Sequence, residues 1–234
     1  MALPFFYIVE YDVAQKQIVL NEETSKHIVQ VLRMKEGEQL NLTDGKGSLL
    51  TCDITDDHKK HCTVTVKEVK HNEQAARKIS IAISLIKNSN RFEWFLEKAT
   101  EIGVTEIIPL ICERTEKEKF RYDRMQGICI SAMLQSQQIW LPVLHSPTEF
   151  EKTVSQSGAT QKYIAHCDES PQNQLTNQPI NQSTIILIGP EGDFTKEEIN
   201  LAIENNFIRV SLGNTRLRTE TAGVVAAALL ANYK

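Results

Sequence analysis

The pattern of hydrophobic positions along the chain changes between residues 70 and 79. Before that point most of the apolar positions alternate with a period of two. The stretch "EQLNLTDGKGSLLTCDI" alternates at Leu40 and Leu42, turns at Asp44-Gly45, and resumes as a second strand. "CTVTVKEV" alternates again through Val64, Val66 and Val69. One helical stretch interrupts, "ETSKHIVQVLRMKEG", with Ile28, Val31 and Leu32 on one face and Gly37 beyond its end. Short strands at this density predict a small closed β-barrel. "KHNEQAARK", residues 70–78, has few large apolar groups and reads as a domain boundary.

From Ile79 strands and helices alternate. "KISIAISLIK" is a strand, apolar on one face and small on the other. "NRFEWFLEKATEIGV" is a helix with Phe92, Phe95, Leu96, Ala99 and Ile102 inward, Asn90 as N-cap and Gly103 as its stop. "EIIPLI" is a strand, and "DRMQGICISAMLQSQQIW" a helix ended before Pro142. "KYIAHC" is a strand, and the polar tract 168–183 a surface loop. A strand over 184–188, a helix over 195–205, a strand over 207–212 and a last helix, "TETAGVVAAALLANYK", complete the pattern. The class is α/β, with a mostly parallel sheet covered on both faces. Ile185 to Ile188, apolar without alternation, suits a central strand. Such sheets bind ligands outside the carboxyl ends of their strands, which singles out loops 189–194 and 213–219.

Length and charge narrow this little. The 234 residues suffice for one large domain or a small and a medium one, and a net charge of −4 argues mildly against wholesale coating of nucleic acid. A local basic face needs only a few Arg and Lys. "MALPFFYIVEYD" lacks the basic start of a signal peptide, and the longest uncharged apolar run, 222–233, is too short to span a bilayer. Five cysteines without a CxxC pair read as reduced cytosolic thiols. His58, His61 and Cys62 fall in a hydrophilic hairpin turn, and no metal site is expected there.

The two loops differ in chemistry. "IGPEGDFTKEE" carries Glu191 and Asp193, which would repel phosphates, and the chain has neither GxxxxGK[ST] nor GxGxxG. What remains is exposed backbone stiffened by Pro190, suited to the edge of a heterocycle, with carboxylates that tolerate a positive charge. Thr195-Lys-Glu-Glu198 is a capping box, which accounts for the helix start without function. "SLGNTRLRTETAG" adds Gly213 at a strand tip, then Arg216 and Arg218, then a helix of small residues against which something can pack closely. Glu220 sits where a helix dipole favours an acid. Two glycine-tipped strands side by side, one acidic and one basic, make a better site than either alone.

With "IGPEGDFTKEE" followed by "LGNTRLRTETA", the sequence resembles the SPOUT-class RNA methyltransferases, and within them the ribosomal RNA small subunit methyltransferase E family. "HIVQVLRMKEGEQLNLTDGKG", "RFEWFLEKATEIGVTEIIP" and "AMLQSQQIWLP" agree in order, so the resemblance covers nearly the whole chain. It departs where the family often has a second glycine (Asp193), an acid (Leu134), a base (Gln138), and a proline and arginine (Asn214 and Thr215).

The resemblance implies S-adenosylmethionine as methyl donor and N3 of a uridine in small-subunit (16S) ribosomal RNA as acceptor. It implies a PUA-like RNA-binding barrel over 1–72, a SPOUT domain over 73–234 with a deep trefoil knot at roughly 184–234, and a cytoplasmic homodimer without metal. Cofactor contacts are expected from Leu187, Ile188, Gly189, Gly192, Leu212, Gly213, Asn214, Leu217 and Arg218. Arg218 is the candidate cation for a uracil anion, and Glu220 or Glu191 the candidate proton acceptor. Arg33, Lys35, Lys46 and Arg91 are candidate RNA contacts. Two other readings stand beside this one: a non-catalytic RNA-binding protein with a dimerising α/β module, and a Rossmann-type nucleotide-dependent enzyme, against which the missing fingerprints count.

Overall fold

A computed structural model describes residues 3–12, 14–116, 119–166, 173–178 and 180–232. They fall into two compact units, Met1–Gln74 with Met133–Leu141, and Ala75–Ala132 with Pro142–Lys234.

The first unit is a five-stranded sheet in the order β1 (Phe5–Tyr7), β3 (Gln39–Thr43), β4 (Ser48–Asp56), β5 (Thr63–His71), β2 (Gln17–Val19). β1 runs parallel to β3 and the other pairs are antiparallel. Among the described residues β1 and β2 do not pair, so the barrel is a half-barrel and not closed. Leu40, Leu42, Leu50, Cys52, Ile54 and Val64 fill its inside, as their alternation requires. Helix α1 (Glu22–Lys26), capped by the Asn21 side chain, runs into a π-helical turn over His27–Val31. The wider turn rotates the expected apolar face. Ile28 is buried, but Val31 and Leu32 point to solvent, contrary to the helical periodicity. His27 packs edge-on against Phe6. The segment 133–141 joins this unit through the "DGKG" turn: Gly47 N–H donates to Ile139 O at 2.9 Å and Leu141 N–H to Gly45 O at 2.9 Å.

The second unit carries a parallel sheet in the order β11 (Asn173–Gln174), β13 (Ile208–Ser211), β10 (Gln161–Ala165), β12 (Thr184–Ile188), β6 (Ile79–Ser84), β7 (Glu106–Ile111), β8 (Val143–Leu144), with β9 (Thr148–Glu149) also on β7. β12 and β6 are buried throughout, on both faces. The expected adjacency of the two glycine-tipped strands does not occur, because β10 lies between β12 and β13. The helices are α2 (Ser89–Ile102), α3 (Tyr122–Gln135), α4 (Phe150–Gln156), α5 (Lys196–Glu204) and α6 (Thr219–Ala231).

Helix α2 begins at Asn88, not Asn90: the Asn88 side chain accepts the Asn90 N–H. It ends at Gly103, whose φ of +94° supplies the left-handed cap. Phe92, Phe95, Leu96 and Ala99 are buried, Ile102 only partly. Full burial of Phe95 contributes about 1.5–3 kcal/mol. Helix α3 stops at Gln135, earlier than expected, and its extension up to Leu141 belongs to the first unit. The small residues of α6 accommodate the protein itself: a Cβ on Gly223 would lie 2.7 Å from Phe95 Cε2 and 2.8 Å from Ile83 Cδ1. Arg77 holds the far end of α6, donating to Leu230 O at 2.8 Å and to Ile180 O at 2.6 Å. The polar tract is partly outside the described residues, as is Cys167; within it Leu175 and Ile180 are buried, so it is not purely a surface loop.

Candidate functional site

A cavity of about 650 Å³ opens in the second unit at the carboxyl ends of β12, β10 and β13. The loop after β12 is shaped by backbone. Gly189 is tightly packed, since a Cβ there would lie 3.2 Å from the Phe194 ring. Asp193 N–H closes a turn onto Pro190 O at 2.9 Å, and Asp193 itself has a φ of +61°. Asp and Asn tolerate that conformation better than most residues, and Asp193 Oδ1 accepts the Phe194 N–H at 2.8 Å. Asp193 thereby holds a left-handed turn that glycine would also adopt.

Side chains brace the loop from behind. Arg114 donates to Gly192 O at 2.6 Å. Thr195 and Glu198 form the expected capping box, and the remaining oxygen of Glu198 accepts the Glu113 N–H at 2.9 Å. Burial, with the Glu198 charge second, pushes the neighbouring Cys112 thiol up to about 12. The Thr219 hydroxyl, at the start of α6, donates to Gly189 O at 3.0 Å and so ties the two candidate loops together.

The loop after β13 turns at Gly213, whose φ is +145° and whose missing side chain leaves open space. Only glycine adopts this backbone without strain. Ser211 fixes the turn by donating to Gly213 O at 2.8 Å. Arg216 and Arg218 follow, both exposed, before α6 begins.

The cavity wall includes Ile188, Gly189, Glu191, Leu212, Gly213, Asn214, Leu217 and Arg218 of the expected residues. Leu187 and Gly192 do not line it: Leu187 is fully buried among core side chains, and Gly192 faces Arg114. Glu220 is also absent from the wall. It is buried behind it in the first turn of α6, with Oε1 3.6 Å from Nε of Arg91. Arg91, expected on an RNA-contacting surface, is part of the cavity wall.

Sequence reasoning passed over His166 and Ala165, at the tip of β10 between the two glycine tips. The strand "KYIAHC" was legible; its position in the sheet was not. Arg33, Lys35 and Lys46 belong to the first unit. Arg33 is exposed with a φ of +58°, Lys35 pairs with Asp57 at 3.1 Å, and Lys46 bridges to Trp140 in the segment 133–141. No group of three or more potential metal ligands occurs among the described residues, and Cys52, Cys62, Cys112 and Cys129 are free and buried.

Comparison with known proteins accords with this geometry. A family model described as an RNA methyltransferase domain matches residues 72–231, and one described as an RNA methyltransferase PUA domain matches residues 20–67. The ribosomal RNA small subunit methyltransferase E of Synechocystis is 30% identical over 92% of this chain and 73% of its own. The crystal structure of a probable rRNA-methyltransferase from Porphyromonas gingivalis superposes with a TM-score of 0.91 at 38% identity, covering 99% of this chain and all of the other. The Neisseria gonorrhoeae ribosomal RNA small subunit methyltransferase E, solved with S-adenosyl methionine bound, superposes with a TM-score of 0.86 at 28% identity over 97% and 95% of the two chains. A half-barrel of PUA type followed by a parallel α/β domain of SPOUT type, with both loops on one cavity, therefore has its place: the chain belongs to the ribosomal RNA small subunit methyltransferase E family of RNA methyltransferases.

Proposed function

We propose that the chain transfers a methyl group from S-adenosylmethionine to N3 of a uridine in small-subunit (16S) ribosomal RNA. The observation that carries this reading is the cavity at the strand tips, walled by both glycine-tipped loops, with backbone next to open space at Gly213. The donor fits it. The wall at Leu212–Gly213 offers backbone next to open space, and Glu191 and Asp193 supply negative charge at the same cavity. Ile188, Gly189, Leu212, Gly213, Asn214 and Leu217 would hold the adenosyl part by main-chain groups, with Leu187 and Gly192 setting the loop from behind. When bound, S-adenosylmethionine supplies an electrophilic methyl on a sulfonium, which needs no metal.

The residues of the chain do the rest by position and charge. Uridine N3 carries a proton and becomes nucleophilic once it is lost, so a nearby cation lowers the barrier. Arg218 takes that part, because a guanidinium forks onto a uracil carbonyl oxygen. Glu191, exposed in the cavity wall, takes the proton in this reading. Glu220, buried and facing Arg91, serves to orient Arg91, which meets the RNA at the mouth of the cavity. Arg33, Lys35 and Lys46 would add phosphate contacts from the PUA-like unit, assigned to residues 1–72, with the SPOUT domain over 73–234.

A cytoplasmic homodimer is part of the reading. Val224, Val225, Ala228 and Leu229 recur at helical spacing on α6 and are only half-buried, a stripe that a second copy would cover. A trefoil knot over roughly 184–234 belongs to the same reading. Unmodified small ribosomal subunits and naked small-subunit rRNA, each incubated with tritiated S-adenosylmethionine, test it. Label on N3 of one uridine is the expected result; RNA retained without label would replace it with a non-catalytic binding protein.

A further inference from the structure

A second cavity, about 610 Å³, lies in the same unit at the opposite edge of the sheet, where β6, β7 and β12 begin. The methyl-transfer reading makes no use of it. We infer that this cavity binds a phosphate-bearing ligand, held by Lys78 and Lys152 and by the hydroxyls of Ser157 and Ser183.

The inference follows from counting donors. Three hydroxyls in the wall are already spent: Thr148 donates to Ser146 O at 2.9 Å, Thr153 to Glu149 O at 3.2 Å, and Thr184 to Gln182 O at 2.8 Å. Ser157 and Ser183 are different. Each accepts a backbone N–H, from Ala159 and from Lys78, both at 3.4 Å, and neither gives its own proton to a protein group among the described residues. Both hydroxyl protons are thus available to an acceptor in the cavity.

The charges agree. Neither the Lys78 nor the Lys152 ammonium has an acidic partner among the described residues. The one carboxylate in the wall, Glu106, has both oxygens engaged, one accepting from the buried Ser80 hydroxyl and the other 2.8 Å from His145 Nε2. That chain of three side chains, from three separate strands or strand ends, occupies both carboxylate oxygens, although the acid keeps its charge in the wall. The carbonyl end of α4 also faces the rim, at Gln156 and Ser157. A helix end carries about half a negative charge, and with Glu106 it still falls short of the two positive charges. Two lysines and two serines with unspent hydroxyl protons in the wall of one cavity favour an oxyanion, and the cavity has room for a nucleotide-sized one.

The source is either a free phosphomonoester or a phosphodiester of the RNA, and one experiment separates them. Amide NMR spectra of the full chain are followed during titration with inorganic phosphate, with uridine 5′-monophosphate, and with an oligoribonucleotide lacking terminal phosphates. Saturable shifts centred on residues 78, 157–159 and 183 are expected with at least one probe. Saturation by the first two identifies a small phosphorylated ligand, and saturation by the third identifies the RNA backbone. The pair Lys78→Ala/Lys152→Ala should weaken the binding about tenfold or more, the scale of one charge-assisted hydrogen bond or two. Ser157→Ala/Ser183→Ala, which leaves charge unchanged, should weaken it as well. Shifts that never saturate, that appear elsewhere, or that persist in the doubly substituted lysine chain would overturn the site. None of these outcomes depends on methyl transfer.

Discussion

Glu220 Oε1 lies 3.6 Å from Arg91 Nε, across the junction of α6 and α2, while Glu220 Oε2 is buried without a hydrogen-bond partner among the described residues. The two ends of this pair are unequal. Arg91 is partly exposed in the cavity wall, and Glu220 is almost wholly enclosed. Removing the arginine strands a buried carboxylate; removing the acid frees the arginine to move. Arg91→Ala should therefore destabilise the fold by about 1–3 kcal/mol, and Arg91→Ala/Glu220→Gln by less than Arg91→Ala alone. A double-mutant cycle from urea unfolding measures the coupling, and an additive cycle would show that the pair does not interact.

Arg218 stands outside such a pair. It precedes α6, exposed, with no ion pair among the described residues. Arg218→Ala should lower methylation by about 10²–10³-fold, the usual loss when a charge-stabilising donor is removed. A urea unfolding curve should stay close to that of the unsubstituted chain, because Arg218 is exposed. Unchanged turnover would remove Arg218 from the mechanism.

Much of this arrangement is legible in the sequence. The run Ile185 to Ile188 announces a central strand because successive side chains are apolar when both faces are covered. The Asn88 cap, by contrast, lies only two residues from the expected Asn90, and both asparagines satisfy the pattern; geometry alone chooses. The two glycine tips were legible, but β10 between them was not, since strand order in a parallel sheet leaves no trace in periodicity. His166 was missed for that reason, and the Arg91–Glu220 pair because it joins positions 129 residues apart. β8, β9 and α4 are two, two and seven residues long, too short for a period to establish itself.

Asp193 gives a test of loop geometry that is separate from chemistry. Its φ is +61°, so Asp193→Gly should keep stability within about 0.5 kcal/mol, the freed conformation offsetting the lost Oδ1 bond to Phe194 N–H. Asp193→Ala, which keeps the strain and loses the bond, should cost about 1–2 kcal/mol. Thermal unfolding of the two variants orders them. An alanine variant as stable as the glycine one would mean that the left-handed conformation is not retained in solution.

Gly223 decides how closely α6 approaches α2. In an exposed helix, glycine to alanine gains about 1 kcal/mol. Here the new Cβ would fall within 2.8 Å of both Phe95 and Ile83, side chains that are themselves fully buried and without room to retreat. Overpacking costs about 1–3 kcal/mol and exceeds the propensity gain, so Gly223→Ala should be net destabilising. The effect should extend to the site, because Thr219, one turn earlier on α6, holds Gly189 O. Weaker cofactor binding together with a lower urea midpoint is the expected pair of results. A raised midpoint would mean that Phe95 has space the packing denies it.

The buried thiols fix how stability depends on alkali. Burial pushes Cys52 and Cys112 up to about 12 and Cys62 and Cys129 up to about 11, above the ordinary thiol value near 9. Between about pH 9 and 11 the unfolded chain has therefore released thiol protons that the folded chain still holds. The unfolded state binds fewer protons there, so stability falls as pH rises, by up to about 1.4 kcal/mol per pH unit for each thiol. Below pH 8 both states are protonated at these positions and the contribution is flat. Urea midpoints at pH 7, 8, 9 and 10 should hold and then drop. In the same experiment, alkylation of the four described cysteines at pH 8 should require unfolding, since the reactive thiolate is withheld in the native state. A midpoint unchanged up to pH 10, with rapid native-state labelling, would mean that these side chains are reached by water.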